Sequence, residues 1–338
     1  MTLASTEFAP PEEIRPHIYR VAVPLPNNPL KSLNSYFICG DEETVIVDVG
    51  FNHPLCEAAL SAALAALGRS WDGVTILLTH SHPDHTGNLD RIYRPGMDIY
   101  ANLHSFIEVE NFNEIQSSVF APILEEVITT MHPDLAVQTG QSARKHYVSR
   151  ELLPLKNHPH VTFLAEGDTF CAGPYTFEVI ETPGHDNWHI CLYEPTEKLL
   201  IVGDHVLNRI TPSITTWMTA DNALADFLAS LEKLRSYDVD LALPGHGNPF
   251  ADTRGRIDYL QQHHAERLAE IEHLVAAGHD NLIAIASNAS WKYANWESWP
   301  LDQQYFSMAE TMAHLVYLIC EGKLKMITCA STHRFETA

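Results

Sequence analysis

The sequence predicts an α/β protein followed by a small, mostly helical C-terminal region. Three observations point there. Short β-prone runs alternate with helical segments as far as Phe250. Four of those runs end in a His or Asp carried on a tight turn that contains glycine or proline. Beyond Phe250 the apolar residues recur three and four apart, the spacing of an amphipathic helix.

Ile18–Val23 is a β-prone run closed by the turn residues Pro24-Leu25-Pro26-Asn27-Asn28-Pro29. Ser35–Cys39 and Thr44–Val49 flank the acidic turn Gly40-Asp41-Glu42-Glu43. Leu55–Leu67, rich in Ala and Leu and stopped by Gly68, reads as a helix. Val74–Leu78 is a buried strand that runs into Thr79-His80-Ser81-His82-Pro83-Asp84-His85, and Ile99–Asn102 is a further short strand. Residues 105–160 lose strand character and are expected to form a helical insert. Strands return at Val161–Leu164, Thr176–Ile180, Ile190–Tyr193 and Leu199–Val202. Asn222–Ser236 is a helix capped by Asp221 or Asn222, and Leu241–Leu243 is a strand ending in Pro244-Gly245-His246-Gly247. Ile257, Leu260, His264, Leu268, Ile271 and Val275 mark a long helix over Arg256–Ala276. Gln303–Glu321 marks another, and Lys323–Thr328 a terminal strand.

At one domain per ~150 residues, 338 residues suggest about two domains. The change of character places the boundary near 251, giving 1–250 and 251–338. The chain carries 21 Lys+Arg against 43 Asp+Glu, a net charge of −22. A nucleic-acid binder needs a basic footprint, and an anionic membrane surface attracts basic segments. Neither partner is expected. The region after 250 holds seven Lys+Arg and eleven Asp+Glu, so it offers no basic footprint either. The six cysteines form no Cys-x-x-Cys pair, Met1–Arg20 lacks an apolar core, and no apolar run approaches the ~20 residues of a membrane span. A cytoplasmic protein with free thiols is the expectation. Twenty histidines are a load that metal chemistry would explain.

The main chemical signal is His80-x-His82-x-Asp84-His85, directly after a buried strand. Imidazole and carboxylate suit Zn, and also Fe or Mn. Four ligand-type residues so close together cannot all reach one tetrahedral ion, and two pairs serving two neighbouring ions is the natural solution. The same grammar recurs at Gly184-His185, Gly203-Asp204 and Gly245-His246, each after an apolar strand. The preceding glycine is expected to let the backbone turn sharply.

These motifs and their order resemble the metallo-β-lactamase superfamily, nearest its dinuclear, glyoxalase-II-like branch, over roughly residues 17–250. The resemblance implies an αββα sandwich with the site at one edge. It implies that His80, His82 and His185 hold a first metal, that Asp84, His85 and His246 hold a second, and that Asp204 bridges them. Asp48 matches a family Asp that supports the metal loop from behind. Two metals would supply hydroxide at neutral pH and polarise a carbonyl or phosphoryl oxygen. Asp84 would orient or deprotonate the water. The region after 250 resembles the helical or winged-helix appendage of some members, and is read as structural or pocket-forming.

Other residues receive plainer readings. His189 is taken as structural, and His205 as either a support or a spectator. His17, His158, His160, His263 and His264 are surface or core histidines, and Cys191 is a small buried hydrophobe. The aromatic stretch Trp291–Trp299 is packing or a subunit contact, with a pocket wall as the alternative.

Within the family, the acid at Asp204 opposes a zinc β-lactamase, where Cys is common. His82 opposes the flavin-partnered diiron branch, which would carry Glu there. The charge opposes an RNA nuclease. Hydrolysis of a small acyl compound remains: a thioester first, then a lactone or another ester. No convincing basic cluster grips glutathione carboxylates, which speaks against glyoxalase II itself. The alternatives are a mononuclear iron persulfide dioxygenase and a non-catalytic metal-binding protein of the same fold. The insert at 105–160 is read as an apolar lid over the site or as a contact in a homodimer.

Overall fold

The computed structural model describes residues 8–102, 161–215, 222–329 and 332–338. The insert expected at 105–160 lies outside them. A first sheet holds β1 (Glu12–Arg15), β2 (Ile18–Pro24), β3 (Ser32–Cys39), β4 (Thr44–Val47), β5 (Val74–Leu77), β6 (Ile99–Asn102) and β7 (Val161–Leu164), side by side in that order. Between these strands lie helix α1 (Pro54–Ala66) and two single turns, α2 (Pro83–Thr86) and α3 (Leu89–Ile92). Strands β1 to β4 pair antiparallel, and β4 to β7 pair parallel.

The second sheet holds β8 (Thr169–Ala172), β9 (Tyr175–Glu181), β10 (Ile190–Glu194), β11 (Leu199–Gly203) and β12 (Leu241–Pro244). Its pairs are antiparallel except β11 with β12, whose parallel pairing requires a crossover. That crossover carries α4 (Ala223–Arg235). Asn222 caps α4 by accepting from the Ala225 N–H at 3.2 Å.

The central strands β3, β4, β10 and β11 are buried on both faces, and their alternation assigns each face to a layer. Val45 and Val47 of β4 point to the other sheet, where they meet Phe177, Val179 and Leu192. Ile46, between them, points to the α1 side and packs with Leu60 and Leu64. In β11, Leu199 and Ile201 face the first sheet, while Leu200 and Val202 face Phe227 and Leu231 of α4. The result is helix, sheet, sheet, helix, as the resemblance implies. Each fully buried Leu, Ile or Phe contributes about 1.5–3 kcal/mol of transfer free energy.

The region after 250 comprises α5 (Thr253–Ala276), α6 (Leu282–Asn288), α7 (Leu301–Cys320) and a hairpin of β13 (Leu324–Cys329) with β14 (Thr332–Thr337). Ile257 and Leu260 of α5 and Ala313 of α7 join the cluster around Phe227. A separate cluster around Met308, Met312, Leu315 and Phe335 closes the far end. The aromatic stretch packs there: Trp296 Nε1 donates to Ser307 Oγ at 2.8 Å, and Arg267 stacks over Trp291.

Candidate metal centre

Five carboxyl ends of strands meet at one edge of the sandwich. Asp48 follows β4, and the loop from Thr79 to His85 follows its parallel neighbour β5. His185 follows β9, Asp204 follows β11 and His246 follows β12. These three strands run in one direction, because β9 and β11 are each antiparallel to β10 and β12 is parallel to β11. Proline at the start of α2 sets the helical turn that carries Asp84 and His85.

The structure brings all seven predicted ligands together. Their ligand atoms fall within 4.8 Å of one another in three groups: His80, His82 and His185; His80, His85 and Asp204; and Asp84, His85 and His246. Asp204 Oδ2 lies 3.3 Å from His246 Nε2, 3.6 Å from His85 Nε2 and 3.9 Å from His185 Nε2. Asp84 Oδ2 lies 3.2 Å from His246 Nε2. His80, His85, His185, Asp204 and His246 are buried, whereas His82 and Asp84 keep some exposure and mark the open side.

Outer partners fix how the imidazoles face. A carboxylate can only accept, so His85 Nδ1 carries a proton and donates to Asp48 Oδ2 at 2.7 Å. His185 Nδ1 donates to the Ser213 carbonyl at 2.8 Å, and His246 Nδ1 to the Ser32 carbonyl at 2.9 Å. Each arrangement leaves Nε2 turned to the cluster, as metal-binding imidazoles require. Asp48 also accepts from the Thr79 N–H and hydroxyl, both at 2.8 Å, so one carboxylate holds the loop and orients a ligand.

The charge balance suits divalent cations. Burial pushes His80 and His189 well below the usual imidazole range, and the neighbouring imidazoles add to it. Burial also lowers His246, but Asp204 and Asp84 outweigh it and raise it to about 10. Burial would raise Asp204, yet His246 and His85 hold it well below the carboxylate range. His85 Nε2, His246 Nε2 and Asp204 Oδ1 are buried without a hydrogen-bond partner among the described residues. Buried polar atoms without a partner are costly unless something binds them. A donor set of imidazole and carboxylate fits divalent metal.

The glycine expectation needs one correction. Gly184 and Gly203 do turn through positive φ, at +134° and +46°. Gly245 does not. It is small because a Cβ there would collide with Asp204 Oδ1.

The metallo-β-lactamase superfamily model matches residues 29–97 and 115–246, which is more than half of the chain. The chain belongs to the metallo-β-lactamase superfamily. Two solved members share the fold almost end to end. A metallo-β-lactamase family protein from Thermus thermophilus has a TM-score of 0.77 at 28% identity, over 96% of this chain and 99% of that one. A β-lactamase domain protein from Burkholderia ambifaria has a TM-score of 0.77 at 25% identity, over 100% and 96%. Among sequence relatives, the probable metallo-hydrolase YqjP of Bacillus subtilis is 25% identical over 89% of this chain and 92% of its own length. The atrochrysone carboxyl ACP thioesterase dmxR1 of a Cryptosporiopsis species is 25% identical over 73% of this chain. The chain spans 59% of that thioesterase's length.

One support of this superfamily site escaped the sequence reading. Asp186 accepts from the Ser81 hydroxyl and, at 2.7 Å, from the Trp188 N–H, tying the His80–His82 loop to the His185 turn. Nothing in its sequence position separates it from any other acid beside a histidine. His189 supports the centre as expected: its Nδ1 bonds Thr182 Oγ1 at 2.8 Å, and its Nε2 accepts from the Asp204 N–H at 3.2 Å. His205 packs behind it, its ring 5.6 Å from His189 and 4.6 Å from Phe227. His264 is a core residue whose Nδ1 lies 3.1 Å from His314 Nε2. No helix among the described residues is long and apolar enough to cross a membrane.

Proposed function

We propose that this metallo-hydrolase works with two divalent ions, Zn before Fe or Mn, and cleaves a small acyl compound, a thioester first and a lactone or other ester next. The observation that carries the dinuclear reading is the position of Asp204. One carboxylate oxygen lies within 3.9 Å of His185 on one side and of both His85 and His246 on the other. In this reading His80, His82 and His185 hold the first ion. Asp84, His85 and His246 hold the second, and Asp204 is shared. When bound, such a pair lowers the pKa of water and polarises a carbonyl oxygen.

The chain's own groups supply the rest. Asp84 stands on the open side and its carboxyl is held below its ordinary range: burial raises it, but His85 and His246 outweigh that. It is therefore ionised at neutral pH, and takes the proton of the attacking water. As the water oxygen joins the acyl carbon, the C–S bond breaks and the proton passes to the departing thiolate. Asp48, Ser213 and Ser32 hold three imidazoles in place through the reaction.

The thioester preference is supported by thioesterase-named relatives and by an acid, rather than a thiol, at position 204. Metal analysis together with turnover of thioester, lactone and phosphodiester panels tests it. Two ions per chain and fastest thioester cleavage are expected. Phosphodiester cleavage without acyl turnover would overturn the substrate class, and a ceiling of one ion would overturn the dinuclear reading.

A further inference from the structure

His246 arrives from the second sheet, yet its position is governed by the first. Strand β3 presents Ser32, Asn34 and Tyr36 on one face, at a spacing of two. All three grip the Pro244–Gly247 turn. The Ser32 carbonyl accepts from His246 Nδ1. The Asn34 N–H donates to the Gly245 carbonyl at 2.7 Å. Asn34 Nδ2 donates to the carbonyls of Pro244 at 2.9 Å and Gly247 at 2.7 Å, one on either side of His246. Tyr36 Oη donates to the Pro244 carbonyl at 2.8 Å.

Both side chains are sealed from water, Asn34 at 5% exposure and Tyr36 at 1%. Ile18, Ile38 and Val45 make up the neighbouring inter-sheet layer, where a buried amide costs free energy unless every bond is made. Pro244 ends β12 and residues 245–249 lie outside any strand, so the carbonyls here need partners from beyond the ladder. Asn34 and Tyr36 supply them.

We propose that Asn34 and Tyr36 are positioning residues that set the reach of His246, and through it the affinity of the second metal site, without touching the ion. The proposal rests on the dinuclear reading above. A purely structural role, joining the two sheets, would lower stability and leave both sites alike.

Cobalt(II) separates the two. The full-length protein, stripped with chelator, is titrated by equilibrium dialysis and by visible absorption. Wild type is compared with Tyr36→Phe, which keeps the ring, with Asn34→Asp, which removes the donor, and with Tyr193→Phe. The last deletes a tyrosine-to-carbonyl bond of 2.9 Å to Asp238, away from the cluster. Wild type should take two ions. Tyr36→Phe and Asn34→Asp should bind the first as wild type does and the second about 10–100-fold more weakly, the usual effect of removing a ligand's outer partner. Tyr193→Phe should lose stability only. Folded Tyr36→Phe with an unchanged second site, equal weakening of both sites, or the same second-site loss in Tyr193→Phe overturns the clamp. If Asn34→Asp fails to fold, Tyr36→Phe decides alone. A wild-type ceiling of one ion overturns the dinuclear reading and the clamp with it, whereas two equally tight ions in wild type and in every variant overturns the clamp alone.

Discussion

Replacing Asp48 by Asn isolates the role of one buried charge. The residue sits at φ +60°, a left-handed conformation that Asp and Asn tolerate. Ala there would add roughly 1–2 kcal/mol of backbone strain and confuse the result. The wild-type carboxylate accepts three hydrogen bonds, from the Thr79 N–H, the Thr79 hydroxyl and His85 Nδ1. In the amide, Oδ1 keeps the Thr79 N–H and the Thr79 hydroxyl can rotate to accept from the new NH2, but that NH2 also faces the His85 Nδ1–H, a donor. At about 1.5–3 kcal/mol for a bond to a charged group, the lost imidazole bond alone amounts to roughly 1.5–3 kcal/mol. The imidazole can recover it by moving its proton from Nδ1 to Nε2. That atom faces Asp84 and Asp204, so recovery blocks the lone pair the metal needs. Either way the second site suffers, by about 10–100-fold in affinity. Competition against a chelator measures the affinity, and denaturant unfolding of metal-free protein measures the stability. An Asp48→Asn protein that is as stable as wild type and binds two ions equally tightly would refute the reasoning.

Asp204→Ala should lose most activity and at least one ion, as read by elemental analysis and turnover, because no other carboxylate among the described residues approaches both triads this closely. Gly203→Ala meets a residue at φ +46° whose new Cβ would collide with His189 Nε2. It should displace His189 and with it the Asp204 N–H, lowering kcat at saturating metal and altering the cobalt spectrum. Glu310→Gln tests a half-buried acid of α7. Burial pushes its carboxyl up to about 7, against the pull of Arg267. Between pH about 4.5 and 7 the unfolded chain gives up this proton first, so wild-type stability falls as pH rises. Thermal melts should show Glu310→Gln gaining on the order of 3 kcal/mol above pH about 7 and nothing below about 4.5.

Much of this was legible in the chain. The strand ends were visible because apolar runs such as Leu199–Val202 stop at a glycine and a ligand. The ligand set was legible because seven ionisable residues stand after strands, where chance seldom puts them. What stayed hidden was whatever acts through backbone atoms. The carbonyls of Ser32 and Ser213 orient two imidazoles, and no side chain advertises them. Strands β8 and β14 also escaped. In β14, Thr-His-Arg-Phe-Glu-Thr offers a single apolar residue, the buried Phe335, and the partner strand supplies the rest. The aromatic stretch was resolvable only in space, where Trp296 finds Ser307 and Trp291 finds Arg267.

The centre draws on both sheets, from residue 48 to residue 246, and this has a kinetic consequence. Neighbouring strands such as β2 and β3 close over short loops, whereas β12 reaches β11 only after the α4 crossover. Pairing across long separations is slow, so His246 is among the last groups to arrive. The segment from His80 to His85, by contrast, offers four ligand groups within six residues before any sheet exists. Metal present during refolding therefore meets a partial site on the unfolded chain, and binding there works against folding. Refolding without metal and loading afterwards should give the higher yield of active protein.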